Sequence, residues 1–152
     1  MKYVTLKKAF ITASILAAVG YAGAALAHNG GGPIDSGSNN ASATDLAVVS
    51  CYNDGNGAPA YLFGQIQDMS PPVPGQLLSF HIQKGQQMIT STDTVSGDAF
   101  HSPAVRLNGG AGDYYISATK TAPGVRLFDV IWHCMTSSDT HTGTDISVYQ
   151  VQ

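Results

Sequence analysis

The punctuation of this chain constrains its fold more than any other feature. After Thr44 the apolar runs are short, and each stops at turn-forming residues: LAVVSCY at NDGNGAP, AYLFGQI ahead of SPPVPG, LLSFHIQ at Lys84-Gly85. QQMIT, AVRL, DYYISATK, VRLFDVIWHCM and TDISVYQV continue the pattern, with NGGAG and APG among the breaks. Runs of this length, rich in β-branched and aromatic residues and bounded by Gly, Pro and Asn, predict strands, and no stretch carries a useful helical period. Eight such runs predict an all-β, antiparallel β-sandwich, immunoglobulin-like or jelly-roll-like, spanning residues 45–152. Thr121-Ala122-Pro123-Gly124 is a short loop between two long β-type runs, and it predicts a local antiparallel hairpin at the rigid centre of the fold.

The first 27 residues read differently. Lys2, Lys7 and Lys8 precede an apolar stretch that closes with Ala25-Leu26-Ala27, the form of a secretory signal peptide cut before His28. Such a cut implies a periplasmic or extracellular protein with no membrane span left after processing. It also removes three of the seven basic residues, leaving four against ten aspartates, a formal charge of −6. A surface of that sign repels phosphate backbones, which argues against nucleic acid as a partner.

Residues 28–44, HNGGGPIDSGSNNASAT, contain one large apolar side chain, Ile34, and predict a flexible Gly/Ser/Asn-rich leader. Because this arm lacks alternating apolar residues, it does not resemble a strand donated to a neighbouring subunit.

Cys51 and Cys134 are the only cysteines. In an exported chain two thiols are expected to pair, and a Cys51–Cys134 bridge closing so long a loop would stabilise the fold by about 4–5 kcal/mol. Strand alternation then sorts the neighbours of Cys134: Phe128, Val130 and Trp132 share its inward face, while Leu127, Asp129, Ile131, His133 and Met135 take the other. A Trp near a bridging Cys is similar in architecture to immunoglobulin-like sandwiches, although Trp132 stands two before the second Cys where a Tyr would be expected.

Chemistry is sparse. There is no Gly-x-Ser-x-Gly elbow, no phosphate loop, no glutamate at all, and the NDGNG and NGGAGD turns lack the terminal acid of a calcium loop. These absences predict a non-enzymatic protein of surface structure, adhesion or ligand binding, its partner a protein, a glycan or a metal, with no cofactor required. The alternative is a copper-binding protein. His133, His141 and His81, with Met135 and the newly terminal His28, offer imidazole and thioether donors that suit copper better than calcium or magnesium, though nothing in their spacing resembles a zinc signature. A mature N-terminal His resembles the copper-dependent polysaccharide monooxygenases at His28 alone, and Asn29 followed by three glycines predicts too loose a tether for a rigid site.

Overall fold

The computed structural model describes residues 28–152. The signal-peptide reading falls on residues 1–27 and lies outside the described residues. Nine strands follow in order: β1 His28–Ile34, β2 Thr44–Tyr52, β3 Tyr61–Asp68, β4 Leu78–Lys84, β5 Gln87–Asp93, β6 Val105–Asn108, β7 Gly112–Lys120, β8 Arg126–Met135 and β9 Gly143–Gln150. They form two antiparallel sheets, ordered β1-β8-β3-β6 and β5-β4-β7-β2-β9. The all-β sandwich expected from the breaker pattern is what the chain adopts, with one strand more than the eight predicted. Among the described residues no helix is long and apolar enough to cross a membrane.

Alternation drives the assembly. In β8 every second residue from Arg126 to Cys134 is buried, so Phe128, Val130, Trp132 and Cys134 face the other sheet. They meet Val49, Phe80, Ile82, Tyr114 and Ile116 in a single core. The Cys51–Cys134 disulfide crosses that core from β2 to β8, with Cα atoms 5.5 Å apart.

Two expectations are corrected. The loop after Lys120 does not close a hairpin: β7 pairs with β2 and β4, whereas β8 pairs with β1 and β3. Both strands bury an alternating face, and placing them in opposite sheets lets those faces pack against each other across the core, which side-by-side pairing does not. Short loop length gave no information about this choice.

The second correction concerns the leader. His28–Ile34 is an edge strand in full register with β8, from His28 opposite Trp132 to Ile34 opposite Arg126. Its glycines permit close approach: a Cβ on Gly31 would collide with the Phe128 carbonyl, and one on Gly30 would lie 3.2 Å from the Trp132 ring. Backbone ladder bonds need no side chain, and Ile34, fully buried, anchors the strand's far end. Asp35 then turns the chain with φ 60° and accepts hydrogen bonds from the amides of Asn39 and Asn40. Poor apolar content therefore marked an edge, not disorder.

Candidate metal site

The C-terminal end of β8 carries the site. Pleating places His133 on the face opposite Cys134, where it stands across from Phe63 of β3, their rings 5.9 Å apart and nearly parallel. After Met135 the chain reverses in a turn closed by Thr136 N–H to Thr140 O and Thr140 N–H to Thr136 Oγ1, with Asp139 at φ 59°. Tyr61 holds Asp139 through a 2.6 Å bond. The turn returns His141 to an antiparallel bridge with Met135. Thr142 is buried beside it and donates from Oγ1 to Gly57 O at 2.7 Å.

His141 and β1 lie along the same edge of β8. The Met135 and Leu127 carbonyls accept from Ala60 and Met69 on the β3 side, while the Cys134 carbonyl accepts from Thr142 on the other. Alternation makes that second edge the one that β1 occupies. His28 heads β1 and therefore arrives next to His141, with His133 between them along β8.

The three imidazoles cluster tightly. Ring centres are 5.2 Å apart for His28–His141, 5.4 Å for His133–His141 and 6.2 Å for His28–His133. A metal-bound imidazole nitrogen at ~2 Å places its ring centre ~3.2 Å from the ion, so two rings on one ion are separated by ~5 Å at a tetrahedral angle and ~6.4 Å when opposed. All three spacings fall inside that window. Yet among the described residues no three donor atoms of His, Cys, Asp or Glu converge as a finished cage. The ring centres are gathered without such a convergence. His133 Nδ1 and His141 Nε2 are buried without a hydrogen-bond partner among the described residues. Such an atom costs about 1–3 kcal/mol unless something bonds it.

Electrostatics favour the neutral form of His133 and His141. Burial pushes the His133 imidazole below its usual range, and the neighbouring His141 and His28 push it further. His141 is lowered by burial and by His28, against a smaller opposing pull from Asp54. A neutral imidazole has the lone pair that a metal needs.

The other candidate residues are placed differently. Met135 follows at the end of β8, opposite Tyr61 and bridged to His141. His81 lies in β4 of the other sheet, its two nitrogens each 2.8 Å from a hydroxyl, Thr90 Oγ1 and Thr119 Oγ1, so it does not join the cluster. Trp132, read as core, is core, but it also stacks at 6.3 Å on His28 and walls the site from below. Phe63 was missed; strand alternation in AYLFGQI was the signal that could have placed it outward. Trp132 and Gly30 also line an apolar cleft of about 310 Å³ that opens between β1 and β9, with Ile146 and Val148 on its far side. No family model, curated protein or solved structure matches this chain.

Proposed function

We propose that the protein is an exported, non-enzymatic copper-binding β-sandwich that holds the ion with His28, His133 and His141. The observation that carries this reading is the meeting of three imidazoles at one sheet edge, two of them with buried nitrogens that nothing among the described residues bonds. Affinity of nitrogen sites for divalent first-row metals peaks at Cu(II), and an all-imidazole set with no thiolate favours it over calcium, magnesium or a structural zinc. The disulfide, stable in oxidising surroundings, supports export, as does the signal-like sequence before His28. Titration calorimetry of protein beginning at His28, with Cu(II) and Zn(II), tests the reading. One tight Cu(II) site is expected, lost in His133→Ala/His141→Ala; undiminished binding by that double variant overturns it.

A second reading, an adhesive or ligand-binding surface module, draws on the apolar cleft and on the exposed Val148, Tyr149 and Val151 beside it. Metal-free protein that retains its full binding partner repertoire in a surface-binding assay would favour that reading instead.

A further inference from the structure

Along one side the two sheets are fastened at both ends and part between. Cys134 N–H donates to Thr144 Oγ1 at 3.2 Å near the histidines, and Asp35 N–H, just beyond the other end of β1, donates to the Gln152 carbonyl at 2.6 Å. Between these fastenings lies the cleft of about 310 Å³. Its cause is in β1. Gly30 and Gly32 hold inward positions of that strand, on the face that ends in the fully buried Ile34. A Cβ on Gly30 would face the Trp132 ring, whereas one on Gly32 would meet nothing within 4 Å. Opposite, Ile146 and Val148 share the face of β9 on which Thr144 reaches Cys134, yet they stay 39% and 66% exposed because the glycines offer nothing to cover them. Trp132 forms part of the back wall, its Nε1 buried and unbonded among the described residues. Asp45, half-buried, lines the Gln152 end and accepts from the Gln152 amide at 2.8 Å.

We propose that this cleft binds one small uncharged amphiphile, an apolar chain or ring of about ten non-hydrogen atoms carrying one hydrogen-bond acceptor for Trp132 Nε1. This ligand class rests on the second, ligand-binding reading above and needs no copper. Apolar walls contributed by both sheets gain by shedding water. The volume lies at the low end of the range of about 300–1,000 Å³ typical of ligand pockets. Because the gap is closed at both ends, a partner's extended strand cannot run through it, whereas a small molecule can enter from the side. An indole N–H is a donor only, and a buried donor left unbonded is costly, so the ligand must bring an acceptor. Charge narrows the class further. Burial pushes the Asp45 carboxyl up, which means that its own negative charge is already disfavoured there. A ligand carboxylate beside it would face the same desolvation and a like charge as well. A carbonyl or ether oxygen satisfies the indole without either penalty.

The test titrates metal-free protein with 2-octanone, with octanoate and with 1-octene, following the fluorescence of Trp132, the chain's one tryptophan, and the heat of binding. A saturable response to 2-octanone is expected, with octanoate at least about tenfold weaker. Gly32→Leu places a side chain in open space on a strand residue outside the left-handed region. It is expected to fold, to unfold at a higher temperature than the wild type because it fills the gap, and to weaken 2-octanone at least about tenfold. Trp132→Phe, followed by calorimetry, should weaken 2-octanone by about tenfold, the scale of one hydrogen bond to a buried donor, and leave 1-octene, which has no acceptor oxygen, unchanged. Equal binding of 2-octanone by Gly32→Leu and the wild type overturns the cleft as the site, and octanoate that binds as tightly as the ketone overturns the uncharged class. The absence of any saturable response overturns the proposal whether or not the surface-binding assay succeeds, so the two readings fail separately. A dimer in sedimentation that Gly32→Leu dissociates gives the cleft to a second copy of the chain and overturns the small ligand.

Discussion

The two ends of β8 treat buried polarity in opposite ways. At its start Arg126, fully buried, donates to Asp68 Oδ2 at 2.6 and 3.0 Å and to the Pro71 carbonyl at 2.7 Å. One loop away Lys120 meets Asp35 at 2.7 Å and the carbonyls of Asn40 and Ala122. Every charge there has partners supplied by the chain. At its other end, nine residues on, His133 and His141 keep buried nitrogens that the described residues leave unbonded. Internally satisfied ion pairs are explained as architecture, since breaking them is what is costly. Trp132 Nε1 and His101 Nε2 are likewise buried and unbonded among the described residues, but only at the His133–His141 end do such nitrogens gather, and this contrast is what supports the proposed metal reading.

The largest expected effect falls on what braces the histidine end. Cys51→Ala/Cys134→Ala should destabilise the protein by about 4–5 kcal/mol on the loop-entropy model, since the bridge spans a sequence separation of 83; denaturant unfolding measures it. Unchanged stability would mean that the bridge is not what holds this end together.

At the opposite end, Arg126→Met leaves the Asp68 carboxylate buried and unpaired, and a loss of about 3–5 kcal/mol is expected. The Cu(II) affinity of the folded variant should match the wild type. A variant that loses copper while remaining folded would join the two ends energetically and break the contrast.

His133→Leu/His141→Leu should behave in the reverse sense. Without metal the double variant is expected to be as stable as the wild type or up to about 1 kcal/mol more stable, because buried nitrogens without partners are replaced by carbon. Thermal unfolding in chelator decides this, and a marked destabilisation would show that the imidazoles are structural after all.

Acidity gives the smallest effect and separates the ends by pH window. His133 and His141 have folded values below the ordinary 6.5, so the unfolded chain takes up protons first. Metal-free stability should therefore decline as pH falls below about 6.5 and level off once the folded imidazoles also protonate. The groups facing them are His28 and Asp54, and replacing both histidines should make this part of the profile shallower, leaving the share of His81, which burial also lowers. Asp35, held far below its ordinary 3.8 chiefly by Lys120, contributes stability that is full above that value and is lost only as pH falls on towards its folded value. Overlap of the two windows would undo the distinction.

How far the sequence alone reaches differs from residue to residue. Strand positions, the all-β class, the Cys51–Cys134 pair and the inward set Phe128, Val130, Trp132 follow from local alternation and from the chemistry of two thiols, which need no knowledge of neighbours. The same alternation placed His133 outside the core. Three matters were decided by tertiary structure. Which sheet receives β7 and which β8 depends on burying two apolar faces at once, a property of the pair and not of the loop between them. The order in His28–Ile34 comes from ladder bonds lent by β8, and a glycine-rich segment has no side-chain pattern to announce such pairing. The meeting of His28, His133 and His141 joins residues more than a hundred positions apart through an edge that β1 and the returning turn share. Register, which is set by packing across the whole sheet, is the physical reason that no local reading of the chain could bring them together.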